Sequence, residues 1–432
     1  MRIPLRQPQA ASSGSVFGIR AGVLIPGRGE PLQDGAVVVS DTAIAWAGPY
    51  GDLPPEYATV VFTEVPVIMP GMWDVHTHFM GTNVLGAGIA ESLRVFLPGM
   101  GTTIGAITVD DFRATLEAGF TSVRELGGYG GDTALAVELG RIPGPHVYSS
   151  FVLLSMTAGH GDSHDVPVET VLDASQRGFP FVLCDGVDSC TKSVRQAVRR
   201  GAKVIKICST GGVLSLNDQP EDSQFSPAEL RAIVDEAERN SRVVASHAIG
   251  KKGILAALEA GVKTIEHGMY LDEEVATKMK EKGAILVPTR HIVEALAAGA
   301  ENLPPASQEK LERMTQLSRD SLKLAIKEGV KIALGTDSFS SSREHPLSHG
   351  RNARELVWAV QAGMTPLQAI EMATATPPET VGRQARKSGL LKAGYDADII
   401  AIASNPLVDI EVLTKPSNVT HVWKTGKMYK SP

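Results

Sequence analysis

The chain has 432 residues, 43% hydrophobic and 21% charged, with a formal net charge of −6 at pH 7, a composition that fits a folded globular protein with room for a large α/β core. The acidic balance and the lack of a basic run argue against a nucleic-acid binder. No apolar stretch approaches the roughly 20 residues that span a bilayer, and three cysteines (Cys184, Cys190, Cys208) are too few for a disulfide framework; Cys184 and Cys190 could pair, but free thiols are the simpler reading.

Residues 1–15 are polar, carry two arginines and lack an apolar signal core, so they read as a disordered tail on a cytoplasmic protein. Residues 16–70 read as short strands and turns, for example Gly35-Ala36-Val37-Val38-Val39-Ser40. Residues 384–432 have the same texture, with strands over 398–402 and 419–423. The two ends are expected to co-fold into one small β-sandwich domain. Between them, residues 71–383 alternate strand and helix. Candidate strands are 72–78, 120–126, 146–152, 203–209, 243–248, 264–267, 284–289 and 331–336. Helical patterns cover 110–118, 187–199, 227–240, 250–260, 272–282 and 306–328. Gly119, Gly201, Gly261, Gly283 and Gly329 stand where helices stop before strands. Eight strands with intervening helices predict an α/β fold, a (β/α)8 TIM barrel carrying the β-sandwich domain.

Active sites of such barrels lie at the C-terminal ends of the strands. His76 and His78 end the first strand in Asp74-Val75-His76-Thr77-His78, and residues i and i+2 of a strand share a face. Lys206 lies in the fourth strand, His247 ends the fifth, His267 the sixth and Asp337 the eighth. Four neutral imidazoles and a carboxylate can hold one or two divalent ions with positions left open for water. A buried lysine loses its proton more readily. The neutral amine of Lys206 can then add carbon dioxide, and the resulting carbamate has two oxygens able to bridge two ions. Asp337 could instead cap a helix, and each histidine taken singly could be structural.

His160, in Ala158-Gly159-His160-Gly161-Asp162, follows the third strand. It could polarise a substrate carbonyl, bind a substrate carboxylate or be structural. Arg290 is expected to end the seventh strand as a carboxylate clamp, and His349 to line the pocket or fasten its loop. Arg124 and Glu125 read as a buried structural pair and Cys208 as packing. Gly211-Gly212 is too little for a phosphate loop and reads as a place where backbone approaches substrate. His146, His164, His291 and His345 stand in no supporting pattern.

Several segments together resemble the amidohydrolase superfamily and, within it, the ochratoxinase-like and prolidase-like (imidazolonepropionase-related) branch. They are Met69-Pro70-Gly71-Met72-Trp73-Asp74-Val75-His76-Thr77-His78-Phe79, Thr157-Ala158-Gly159-His160-Gly161-Asp162, Gly201-Ala202-Lys203-Val204-Ile205-Lys206, Gly211-Gly212-Val213-Leu214-Ser215, Leu334-Gly335-Thr336-Asp337 and Val419-Thr420-His421-Val422-Trp423-Lys424. The likeness runs from about residue 21 to residue 430. It implies a binuclear site with two divalent ions, usually Zn2+, and N6-carboxylysine at Lys206. His76, His78 and Asp337 would serve one ion and His247 and His267 the other, with Lys206 between them.

The implied reaction is hydrolysis of an N-acyl amino acid by a metal-bridging hydroxide, with Asp337 as proton carrier and His160 assisting. Ochratoxin A, cut to phenylalanine and ochratoxin alpha, is the first expected substrate. A dipeptidase acting on Xaa-Pro and a cyclic-amide hydrolase are the alternatives, and a non-enzymatic scaffold is disfavoured by the full ligand set. The expected partners are small amide substrates and further copies of the chain, with homo-oligomers up to an octamer. Two features depart from the branch pattern: Ile249 stands where a second histidine often follows His247, and the loop over 338–348 reads as longer.

Overall fold

The structure, a computed structural model, describes residues 16–81 and 100–432. The expected tail over 1–15 and residues 82–99 lie outside the described residues. The chain opens with β1 (Val16–Leu24), β2 (Leu32–Ser40), β3 (Ala43–Pro49) and β4 (Phe62–Pro70). It continues through β5 (Met72–Thr77), β6 (Phe120–Glu125), β7 (His146–Ser149), β8 (Leu153–Ser155) and β9 (Phe181–Leu183). Next come β10 (Ile205–Cys208), β11 (Val244–Ala248), β12 (Thr264–His267) and β13 (Ile285–Val287). It closes with β14 (Ile399–Ile402), β15 (Val419–Lys424) and β16 (Lys427–Lys430).

Strands from both chain ends form one seven-stranded sheet in the order β16-β15-β14-β4-β1-β2-β3. Its centre explains why residues 67–70 of β4 and the whole of β14 are unbroken apolar runs. Ile402 pairs with Val67 and Ile399 with Pro70, and side chains alternate between faces. Val67, Met69, Ile400 and Ile402 enter the large core of the α/β part, whereas Ile68, Ile399 and Ala401 pack with Trp423 in a separate core of the sheet. Both faces are buried, so no polar alternation survives.

The middle of the chain is parallel α/β. One sheet runs β5-β6-β7 and a second runs β13-β12-β11-β10-β8-β9. Helices over Val187–Arg200, Pro227–Arg239, Lys251–Ala260, Glu273–Lys282 and Pro305–Lys327 occupy the expected segments. Gly261 and Gly283 end two of them in the left-handed region, which a residue without Cβ adopts at little cost. Shorter helices at Gly130–Glu138, Val168–Gln176 and Arg290–Ala298 were not foreseen, nor were the three-residue strands β8 and β9.

The segment expected as a strand over 331–336 makes one isolated bridge, Ile332 with Leu286, in place of a ladder. Lys331 O accepts from Leu286 N and Leu334 O from Val75 N, so it links β13 to β5. Leu334 N leaves the sheet for Met372 O at 2.9 Å, which breaks the regular pattern. Among the described residues no helix is long and apolar enough to cross a membrane.

Arg124 and Glu125 are not a pair. Neighbours in a strand face opposite ways, and Arg124, fully buried, reaches Val75 O at 2.5 Å, Thr264 Oγ1 at 3.0 Å and Glu266 Oε1 at 2.7 Å. Glu125 instead accepts from Gly130 N and Gly131 N at the start of a helix. Arg124→Met strips the counter-charge from Glu266 in the interior. Removing one member of a buried ion pair typically costs about 3–5 kcal/mol, so the denaturation midpoint of this variant is expected to fall by that equivalent. An unchanged midpoint would contradict the pairing.

Candidate metal centre

The parallel registers deliver the candidate ligands to one end of the strands. Cys208 pairs with His247 and Ala248 with His267, which brings β10, β11 and β12 to a common level. His76 lies one residue before the end of β5 and His78 one residue after it. Asp337 follows the linking segment, and its backbone N donates to His76 O at 2.8 Å. Asp337 (φ 60°), His267 (φ 70°) and Thr289 (φ 46°) all take the left-handed conformation that side chains rarely adopt. Three such residues gathered at strand ends mark a place where surrounding structure holds the backbone for a purpose other than stability.

The side chains form a continuous arc. Ring centroids are separated by 5.3 Å from His78 to His76, 5.2 Å from His76 to His267, 4.6 Å from His267 to His247 and 4.0 Å from His247 to His160. Asp337 Oδ1 lies 3.5 Å from His76 Nε2 and 3.1 Å from His78 Nε2. Donor atoms of His76, His78 and Asp337 all fall within 4.8 Å of one another, close enough to share one ion. Lys206 is buried in β10 and only 2% exposed.

Each candidate imidazole has its other nitrogen tied down. His76 Nδ1 meets Glu266 Oε2 at 2.9 Å, and His78 Nδ1 donates to Gly127 O at 2.7 Å. His267 Nδ1 meets Thr289 Oγ1 at 2.7 Å, and His247 Nε2 donates to Gly211 O at 2.9 Å. One nitrogen anchored and the other left with a lone pair is the arrangement that metal-binding histidines need. The protonation states agree. Burial pushes His76 and His247 well below the ordinary histidine range and His267 down to about 4, and it also lowers Lys206. Burial pushes the Asp337 carboxyl up, but His76 and His78 outweigh it and hold it below the ordinary carboxylate range. Neutral imidazoles, a carboxylate and a lysine disposed to lose its proton are the donor set a cation requires.

Three anchors were not singled out from the sequence. Glu266 directly precedes His267 but carries no signal of its own. Thr289 is an ordinary residue just past β13. Asp74 accepts from His76 N, Thr336 N and Asn352 Nδ2 at 3.1, 3.1 and 2.6 Å and so fixes β5 against the linking segment. Only its i,i+2 relation to His76 could have suggested this.

With this geometry the chain is a member of the amidohydrolase family, whose model matches residues 67–429. It is similar to the ochratoxinase of Aspergillus niger, 45% identical over 430 residues that cover 96% of this chain and 86% of the relative. The crystal structure of A. niger ochratoxinase superposes with a TM-score of 0.90, at 44% identity, covering 98% of this chain and 97% of that one. A solved Xaa-Pro dipeptidase with methionine bound in its active site gives a TM-score of 0.83 at 28% identity, covering 96% and 100%.

The remaining candidates lie at different distances from the arc. His160 joins it by stacking on His247. Gly212 serves that ring more directly than any substrate, since a Cβ there would stand 2.1 Å from His160 Nδ1. His349 is buried flat against Phe79 with ring centroids 4.2 Å apart, directly after His78 in the chain, and burial holds it down to about 3. Arg290 does not end a strand. β13 stops at Val287, and Arg290 opens the helix Arg290–Ala298 with its guanidinium on Glu294 and 5.8 Å from the Trp358 ring centre. Ile249, where the branch often has histidine, packs in an apolar cluster with Val213, Met269, Ile292 and Phe339. Cys184, Cys190 and Cys208 are free and buried.

Glu355 holds the start of that helix. It is buried and accepts from Arg290 N at 2.9 Å and His291 N at 2.7 Å, while burial pushes it from 4.5 to about 8 against those bonds. A folded-state value raised above the unfolded one contributes stability that is complete below about 4.5 and lost as pH rises through about 8. The unfolding free energy of the wild type minus that of Glu355→Gln is therefore expected to fall across that window. A difference flat with pH would contradict the burial argument.

Proposed function

We propose that this chain is a binuclear metal-dependent amidohydrolase that cleaves the amide bond of an N-acyl amino acid in the manner of a carboxypeptidase, with ochratoxin A as first substrate and phenylalanine and ochratoxin alpha as products. The observation that carries the reading is the arc of imidazoles, each with one nitrogen anchored, closing on Asp337. The 45% identity to ochratoxinase supports the substrate. The bonds through residues 331–338, and Lys203 N donating to Ser149 O at 2.8 Å from just ahead of β10 to the end of β7, support reading the two parallel sheets as one eight-membered barrel closed around this arc.

In this reading His76, His78 and Asp337 would hold one divalent ion and His247 and His267 the other, with Lys206, as N6-carboxylysine, contributing to both. Zn2+ suits such nitrogen and oxygen donors. Bound ions supply Lewis acidity toward the carbonyl and lower the pKa of water to about 7. The protein's part is positional. Glu266, Gly127, Gly211 and Thr289 fix the ring orientations. Asp337 accepts the proton of the attacking water at Oδ and returns it to the leaving amine. His160, at the end of the arc, contacts the substrate beside the scissile bond.

The test is elemental analysis of purified protein together with chromatography of ochratoxin A digests. About two metal ions per chain and released phenylalanine are expected. Metal without cleavage, with Xaa-Pro dipeptides cut instead, would replace the substrate by the dipeptidase reading that the 28% identical structure favours. No metal and no activity after supply of zinc and bicarbonate would overturn the mechanism. Thr289→Val removes the anchor of His267, and metal affinity is expected to drop by about 10–100-fold. A competition titration with a chelator measures it, and unchanged affinity would contradict the assignment of His267.

A further inference from the structure

His160 is held by a buried polar chain that the metal ligands do not use. Its Nδ1 lies 2.9 Å from Ser215 Oγ. The Ser215 hydroxyl donates to Asp218 Oδ1 through a short bond, and the alternative acceptor, Gly212 O, is farther away at 3.4 Å. Asp218 Oδ2 accepts from Gln224 Nε2 at 3.0 Å, and Gln224 Oε1 accepts from the backbone N of His160 at 3.0 Å, which closes a ring of contacts. Lys310 stands 3.5 Å from Asp218 Oδ1 and donates to Gly212 O at 3.1 Å and Ser215 O at 2.7 Å. Ser215, Asp218, Gln224 and Lys310 are all buried. Interior polar groups persist only when their partners are satisfied.

The direction of the bonds fixes a proton. A serine hydroxyl has one hydrogen. Donors surround Asp218, so it acts as the acceptor end and takes that hydrogen. The Ser215 oxygen can then only accept from His160, so Nδ1 carries the ring proton. A neutral imidazole protonated at Nδ1 has a bare lone pair at Nε2.

We infer that Asp218 and Ser215 are positioning residues that hold His160 in the Nδ1–H tautomer, so that Nε2 meets the substrate as a hydrogen-bond acceptor for the scissile amide N–H. This rests on the amidohydrolase reading and argues against the carbonyl-polarising role, one of those the sequence leaves open for His160, because a lone pair repels a carbonyl oxygen. It also gives the enzyme a selective device. Secondary amides bring an N–H to that lone pair, whereas tertiary amides such as those before proline bring none.

Neutron diffraction from deuterium-exchanged crystals of the metal-loaded full chain locates the proton. A deuteron on His160 Nδ1 with none on Nε2 is expected, and a deuteron on Nε2 would overturn the inference. Kinetics give an independent reading. Ser215→Ala is expected to lower kcat on N-acyl-phenylalanines by about 10–100-fold, the usual effect of removing a group that orients an active imidazole. Metal content should not change, and Ser215→Thr, which restores the hydroxyl, should recover most of the loss. Unchanged kcat in Ser215→Ala, or a loss that follows metal content, would contradict the role. Tautomer and metal content are readable whether or not ochratoxin A is cleaved, so failure of the substrate assignment and failure of this chain are distinguishable.

Discussion

Glu266 is the point on which the rest depends. Its side chain is fully buried, and it accepts from Arg124 Nη2 at 2.7 Å and meets His76 Nδ1 at 2.9 Å, while Thr264 Oγ1 donates to it at short range. An ionised carboxylate without partners is very costly in such a place. β5, β6 and β12 must therefore assemble in the one register that brings Arg124 and His76 to Glu266. The same requirement turns His76 Nε2 toward Asp337. Folding correctly and aiming the first candidate ligand become one event, and a slipped strand would forfeit both.

A second layer works alike at the outer end of the arc. Lys310, on the long helix Pro305–Lys327, is tied to backbone oxygens of the segment over 212–215. Gly212 leaves room for the His160 ring. The helix thereby helps to place His160 beside the candidate ligands on β11 and β12. On the opposite side, Arg343 pairs with Asp110 and Ser341 Oγ donates to Asp111 Oδ2 at 2.7 Å, fastening the loop that carries His349 to the helix Met100–Glu117. The candidate ligands sit at strand ends and at the end of the segment linking β13 to β5, and distant helices hold the loops between them.

Much of this was legible because its signals are local and periodic. His76 and His78 share a face by strand period, and Lys206, His247 and His267 each stand in or at the end of a short apolar run. The glycines at 261 and 283 marked helix ends by their conformational freedom. What was not legible depends on contacts between distant segments. Nothing near Arg124 shows that its partner is 142 residues away. Arg290 looked like a strand end because the three-residue β13 leaves little pattern, and Thr289, in the left-handed region, turns the chain into the helix that Arg290 opens. The segment over 331–336 has strand composition, but Leu334 N goes to Met372 O and breaks the ladder. Ser215 and Asp218 lie in a polar loop whose sequence gives no sign of which histidine they serve.

The proposed site puts two ions on the arc from His78 to His247, with Lys206 between them. Anomalous diffraction at the zinc absorption edge, from crystals grown with zinc and bicarbonate, would locate them. Two peaks are expected, one against His76, His78 and Asp337 and the other against His247 and His267, with density for a carbamate on Lys206 reaching both. A single peak with an unmodified Lys206, or peaks away from these side chains, would contradict the proposed site.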